Sequence, residues 1–224
     1  MPNTPAPRPP KLATRRAVER IPWDGHRLLD GDSHATVRYD RAELVDLDLR
    51  HSTFSECVFV GCDLTGTDLT GAHLVESELT EVEAAHLKAP RSLWRHSALA
   101  RSRLGAVEAY EANLDGLVVV DAKISYLNGR SSTWSDVLLQ RCVIDELDLV
   151  GAKLSRVLFE DCQVRSLDLS RSTCRDVDLR ALDLREIHGP TGLAGCTITP
   201  EQLYDLSGAL AEHLGITVLD RSAG

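Results

Sequence analysis

Residues 62–76 read Cys62-Asp63-Leu64-Thr65-Gly66, Thr67-Asp68-Leu69-Thr70-Gly71, Ala72-His73-Leu74-Val75-Glu76, three five-residue units head to tail, each centred on a leucine. Stepping by five from these leucines in both directions gives 30 positions between Tyr39 and Leu184, and none is polar. Gly129 is the only one without a side chain. The positions two residues earlier, Val37 to Leu182, hold only Ser, Thr, Ala, Val, Leu or Cys. Charges fall on the other three positions of each unit, and the phase is not lost through the poorly patterned stretch 82–103. A period of five fits neither a helix at 3.6 nor a strand at 2. It fits a chain that turns a corner after every unit, with two side chains pointing in and three out.

Four corners close a square, so one coil should take twenty residues. The text supports this. Every twentieth residue from Leu47 gives Leu47, Thr67, Leu87, Val107, Leu127, Leu147, Leu167 and Ile187, mostly large. The same step from Ser52 gives Ser52, Ala72, Ser92, Ala112, Ser132, Ala152 and Ser172, always small. A bare five-residue period would not separate these columns; a twenty-residue coil does, because each column is one wall of a tube.

The units resemble the pentapeptide repeat family, whose motif is a small residue, Asp or Asn, Leu or Phe, then two variable polar positions. The resemblance covers about residues 37–191. It departs at the second position, which is Asp or Asn in only some units, and around Ala84 to Trp94. It implies an all-β fold, a right-handed quadrilateral parallel β-helix, with residues 1–36 as a partly disordered N-terminal extension and 192–224 as a C-terminal α-helical cap and tail. Seven coils at about 4.8 Å make a rod roughly 35 Å long.

The ends need covering, since open sheet edges invite aggregation. Thr199, Pro200 and Gln202 read as N-cap, first helical residue and capping-box partner. Leu203, Leu206, Leu210 and Leu214 form one stripe on the helix that follows, either plugging the last coil or pairing two rods; the resemblance implies a homodimer of that kind. Ile216 and Val218 are expected to form a short strand. Residues 1–10 are expected to be mobile and Leu12 to Arg20 to form a short helix. Ile21, Trp23, Leu28 and Leu29 should pack on the first coil or along a side. Trp94 and Trp134 fall on inward positions and should overfill the tube, offset by Ala84, Ala89, Ala109 and Gly129 on the same or neighbouring coils. A bulge turning Trp94 outward is the alternative.

Function is written on the outward positions. The net charge of -9 argues against direct nucleic-acid or anionic-membrane binding. No apolar run is long enough for a membrane span. The Pro-rich start lacks an apolar signal core, so a cytoplasmic protein is expected. Residues 40–83 hold eleven acids and two bases, whereas 84–104 hold five bases and no acid. The acids Asp46, Asp48, Asp63, Asp68, Glu76, Glu78 and Glu81 form a candidate partner-binding face, since spaced carboxylates on a rod can present charge as a nucleic-acid duplex does. The resemblance implies DNA gyrase or topoisomerase IV as partner, with protection from quinolone-type inhibitors. Lys88, Arg91, Arg95, Arg101 and Arg103 work against simple mimicry. Gly61, Glu81, Arg101, Asp121, Arg141 and Asp161 predict a salt-bridge ladder with alternating signs from Glu81 onward.

On the same wall Val58, Val60, Ala98, Ala100, Val118, Val120, Leu138 and Leu158 point outward. They mark a surface covered either by the N-terminal segment or by a partner, the latter making the protein a scaffold. The six cysteines show no CxxC pair and read as small buried hydrophobes, with Cys142 and Cys162 stacked inward. Glu56, Glu76 and His96 share an outward column but supply one imidazole, too little for a metal site. No nucleophile elbow, Walker loop or HExxH motif occurs. A filled tube offers no catalytic pocket, so no enzyme activity, metal or cofactor is expected.

Overall fold

The computed structural model describes residues 6–14 and 17–219, and the side chain of residue 185 is not among them. The chain winds into a parallel β-helix closed by one C-terminal helix. Residues twenty apart lie side by side in parallel register: Leu74 opposes Phe54 and Trp94, and Ile124 opposes Leu104 and Ile144. We number the walls by their inward centres: the first contains Tyr39 and every twentieth residue after it, the second Leu44, the third Leu49 and the fourth Phe54. Every centre from Tyr39 to Leu179 is buried, and Leu184 is half-buried. Leu64 and Ile144 are both at most 2% exposed.

The corners explain the period. The residue two after most centres has a left-handed φ near 50–60°, among them Asp46, His51, Glu56, Arg101 and Arg141. A non-glycine residue there costs about 1–2 kcal/mol. The corner N–H is held by a carbonyl on the next coil, as from Asp46 to Thr65 at 2.8 Å and from Arg141 to Glu160 at 2.8 Å. Stacking therefore offsets the strain at each corner.

One corner changes along the rod. Between the second and third walls it is left-handed at Asp46 and Gly66 and at none of the later coils. From Glu83 on, the chain runs straight through this corner in six strands, beginning with Glu83–Lys88 and Arg103–Glu108, which form a separate six-stranded sheet. The corner column from there reads His86, Ala106, Tyr126, Glu146, Ser166 and Glu186. A Cβ on Gly105 would lie 2.1 Å from the Ala85 carbonyl oxygen, so only glycine fits this close approach.

The interior has a hydrogen-bonding skeleton. At the inward positions before the centres, small side chains stitch coils together. Ser77 Oγ donates to the Phe54 carbonyl at 2.9 Å and accepts the Cys57 N–H at 3.0 Å. Ser97 repeats the pattern on Leu74 and Ser77. The free thiols of Cys57, Cys62 and Cys142 donate to His34, Tyr39 and Val119 carbonyls at 3.5–3.6 Å. These cysteines are thus bonded relays as well as core filler.

Both tryptophans point inward, so the outward bulge does not occur. Trp94 and Trp134 are 8% and 2% exposed, and each indole N–H reaches the Oγ of Ser92 or Ser132 two residues earlier. Overfilling does not occur either. The alanines more than compensate, and an apolar cavity of about 70 Å³ lies among Ala89, Trp94, Ala109, Leu114 and Trp134. The Gly129 space is filled by Leu149, since a Cβ there would lie 2.8 Å from Leu149 Cδ2.

The ends differ from expectation. Residues 17–20 and 6–14 are not helical; the segment is extended, and Ile21–Pro22 (β1) pairs with Val37–Arg38. Pro7, Pro9 and Pro10 hold residues 6–10 out of a helix, because proline fixes φ and restricts its predecessor. Expected mobility over residues 1–5 lies outside the described residues, whereas residues 6–10 have a defined path. Leu28 is buried and Trp23 packs on the core, but Ile21 and Leu29 are exposed. Helix Pro200–His213 (α1) starts with the full capping box at Thr199 and Gln202. Gln202 Nε2 also donates to the Leu179 and Leu182 carbonyls at 2.7 and 2.9 Å, bonding the helix to the last coil. Leu206 is buried and Leu210 half-buried, but Leu203 and Leu214 are 51% and 70% exposed, so the stripe is only half used. Ile216 and Val218 are exposed and form no strand.

Candidate functional site

Two outward features stand out. The first lies on the second and third walls of the early coils. Parallel bridges stack Glu43 against Asp63 and Asp63 against Glu83, and Asp48 against Asp68. With Asp46 at the corner between them, six carboxylates share two adjacent walls over three coils. Four of the seven sequence candidates therefore gather here: Asp46, Asp48, Asp63 and Asp68. Glu76, Glu78 and Glu81 do not; they stand around the first wall. Sequence reasoning missed Glu43 and Glu83, although a twenty-residue step from Asp63 finds both.

These carboxylates are not all free to meet a partner. Asp48 forms two short bonds with Arg50, whose guanidinium holds the Asp48 carboxyl below the usual carboxylate range. Asp63 and Asp68 accept the backbone N–H groups of Thr65 and Thr70 at 2.8 and 2.9 Å, which fixes their orientation. Glu78 meets Arg20 at 3.6 Å and Glu81 meets Arg101 at 3.1 Å. The basic band is largely absorbed within the protein, with Arg91 facing Glu111 and Arg95 facing Asp115 one coil up. Lys88 stands one coil above Asp68 and Arg103 one coil above Glu83, so bases end the acidic columns. The predicted ladder forms as two ion pairs, Glu81–Arg101 and Asp121–Arg141, the second made by two bonds of 2.7 and 2.9 Å.

The second feature is the corner between the fourth and first walls. The described residues of the N-terminal segment meet it at three heights and form a strap. Arg8 binds Asp176 through its guanidinium at 2.7 Å and its backbone N–H at 3.3 Å. The Lys11 backbone N–H donates to Asp136 at 2.7 Å, and Arg20 Nε to the Glu56 carbonyl at 2.9 Å. Asp136 is also clasped by Arg156 on the next coil through two bonds of 2.6 Å. That guanidinium, aided by the Lys11 N–H, holds the Asp136 carboxyl low against the opposing effect of burial.

Burial traces the same path. On the opposite edge of the first wall, Arg41, Glu81, Arg101, Asp121, Arg141 and Asp161 are all exposed. Along the strapped edge Gly116 and Asp136 are buried, and Glu56, His96, Arg156 and Asp176 are half-buried. On the first wall, Val58 and Ala98 are buried although they point outward, and Val118, Val120, Leu138 and Leu158 are half-buried. The strap thus runs beside the apolar wall.

Among the described residues no cluster of three or more His, Cys, Asp or Glu side chains is arranged to hold a metal ion. Cys142 and Cys162 stack as expected, the Cys142 N–H lying 3.4 Å from Cys162 Sγ. Among the described residues no helix is long and apolar enough to cross a membrane.

Fold and surface define a four-sided parallel β-helix built from five-residue units. Residues 33–109 match the family described as Pentapeptide repeat region, and the same phase continues unbroken to Leu184. A search of curated proteins returns no match. Among solved structures, trypsin-treated QnrB1, a plasmid-mediated fluoroquinolone resistance protein, is 18% identical with a TM-score of 0.36, over 89% of this chain and 96% of that one. HetL from Nostoc sp. strain PCC 7120, a pentapeptide repeat protein involved in heterocyst differentiation regulation, is 18% identical with a TM-score of 0.38, over 73% of this chain and 87% of that one. Full-length QnrB1 is 14% identical with a TM-score of 0.31, over 82% and 100% of the two chains.

Proposed function

We propose that this protein is a non-enzymatic, cytoplasmic interaction rod that presents its acidic second and third walls to a DNA-binding protein surface. The specific partner proposed is a type II topoisomerase, gyrase or topoisomerase IV, with protection from quinolone-like inhibitors as the outcome. What supports the reading is the stacking of Glu43, Asp63 and Glu83 beside Asp48 and Asp68. Three coils at about 4.8 Å span roughly 14 Å. Setting Arg50 against Asp48 and counting Lys88, which stands above Asp68 on the third coil, leaves four net charges over that length, one per roughly 3.5 Å, against about 1.7 Å for duplex DNA. The patch carries about half the linear charge density of DNA, enough to compete for a basic saddle in low salt. A supercoiling assay with and without a quinolone tests this. Micromolar wild-type protein should alter inhibition, and Asp63→Lys with Glu83→Lys should not; no effect of the wild type defeats the proposal.

A second reading concerns the C-terminal end, where Leu203, Tyr204, Leu214 and Ile216 are exposed around α1. This supports a homodimer joined end to end through that helix. Light scattering should give twice the monomer mass for the wild type and the monomer for Leu203→Asp with Leu214→Asp; a monomeric wild type ends this reading.

A further inference from the structure

The strapped edge is built to read a peptide. Between Arg8 and Lys11 lie Pro9 and Pro10, which have no N–H to give. The two backbone donors that remain, at Arg8 and Lys11, are both taken by carboxylates, Asp176 and Asp136. Those carboxylates stand two coils apart, about 9.6 Å at the spacing of stacked strands. Three residues of polyproline conformation advance about 9.3 Å. An Arg-Pro-Pro-X segment therefore matches the rise of the rod, and its guanidinium adds two bonds to Asp176. The lower part of the strap is slack by comparison: nine residues from Lys11 to Arg20 cover only four coils, roughly 19 Å. The upper part is the one that recognises.

We propose that this edge is a docking channel for an extended, basic, proline-containing peptide segment, and that residues 6–22 are its resident occupant. Asp176 and Asp136 read donors three residues apart, and the half-buried wall at Leu138 and Leu158 accepts the apolar side of the incoming segment. A partner reaches the wall by supplying such a segment in place of the strap. The channel is separate from the acidic second and third walls and does not depend on the topoisomerase reading.

The test uses the full chain with Arg8→Glu and Arg20→Glu, which loosens the strap and leaves the channel intact. The probe is a fluorescein-labelled peptide of residues 6–22 in the wild-type sequence, followed by fluorescence anisotropy. A tethered strap competes at an effective concentration near the millimolar range, so the loosened chain should bind the peptide at least about ten-fold more tightly than wild type. Adding Asp176→Asn, alone or with Asp136→Asn, should abolish the gain, with circular dichroism confirming the fold of each variant. A peptide with Gly at both prolines should bind several-fold more weakly. Equal binding by loosened and wild-type chains, or binding that survives Asp176→Asn, overturns the proposal. Dimerisation of the loosened chain at micromolar concentration would assign the wall to a second copy and overturn it as well.

Discussion

The first coils and the middle coils obey the same five-residue rule and reach opposite states of packing. Between residues 33 and 80 the tube has four sharp corners and an aromatic filling. Tyr39 and Phe59 stack at 4.5 Å, and Phe54 meets Phe59 edge-on at 5.4 Å. The void there is about 10 Å³. From residue 82 to 139 one corner has opened, alanines replace larger centres, and the void is about 70 Å³. The tight end carries a cost of its own, since Tyr39 Oη, Trp23 Nε1 and His34 Nε2 have no hydrogen-bond partner among the described residues. Burial accordingly raises the Tyr39 hydroxyl pKa and lowers that of His34. The lesson is that a repeat sets which side chains point inward, while the filling of each coil is set by its neighbours above and below.

That contrast predicts unequal losses from the same kind of truncation. Phe59→Ala should cost about 3–5 kcal/mol, because Tyr39 and Phe54 both lose their ring contact and the site cannot collapse. Leu99→Ala, on the same wall two coils later, should cost about 2 kcal/mol, the low end of its range, since its neighbours already border empty space. Urea unfolding followed by hydrogen exchange along the chain would check both. A larger loss at Leu99 would break the comparison.

Added volume should change sign between the two regions. Ala72 is fully buried in the tight end, and Ala72→Val should destabilise by about 1–3 kcal/mol through overpacking. Ala109 borders the cavity, and Ala109→Val should stabilise by about 1 kcal/mol as its methyl groups enter that space. Thermal melting of the two variants against wild type decides it. Shifts of the same sign would mean that the cavity is closed by relaxation in solution.

Gln202→Ala should fall between these effects. It removes the capping box and two bonds to the last coil, worth about 1–2 kcal/mol together. Because α1 touches the last strand, amide exchange should rise in residues 179–188 and stay unchanged around Phe59.

Much of this was legible in the sequence. The phase of five placed Leu64 and Ile144 inside, and the step of twenty placed Glu81 beneath Arg101. The capping box at Thr199 and Gln202 was readable from two residue types at one spacing. The opened corner was not, because the same residue types stand at both kinds of corner: Glu56 and Ser131 are left-handed, while strands run straight through Glu146 and Ser166. The cavity was not, because it depends on how far Trp94 and Trp134 reach, which residue volumes alone do not give. The strap was half legible: acids recur at Asp136 and Asp176, and bases at Arg8, Lys11 and Arg20. The matching rises of polyproline and coil become visible only once both are placed together.

The smallest global effect should come from acid, and on the strapped edge it has a carboxylate origin. The Arg8 guanidinium holds the Asp176 carboxyl below its ordinary range, and the Arg156 guanidinium does the same for Asp136. A carboxyl whose folded pKa is depressed adds stability that is complete above its unfolded value, near about 4, and is lost as pH falls through the folded value. Between neutral pH and about 5 the strap should therefore stay bound, and below about 4 it should loosen. The aromatic end answers to a different group: the buried His34 ring stacks on Phe54 at 5.2 Å and has its pKa lowered by burial, so it must take up a proton as pH falls and this end also loses stability on the acid side of the ordinary imidazole range. Exchange of the amides of Arg8 and Lys11 at pH 3 against pH 6, corrected for the intrinsic rate, should show loss of protection while the buried Ile144 and Val164 of the second wall keep theirs. The Arg8–Asp176 link is also exposed enough to be screened, so raised salt at neutral pH should weaken protection at Arg8 more than at Lys11, whose acceptor Asp136 is buried. Equal loss at both positions would show that the strap leaves as one unit, with no separate upper lock.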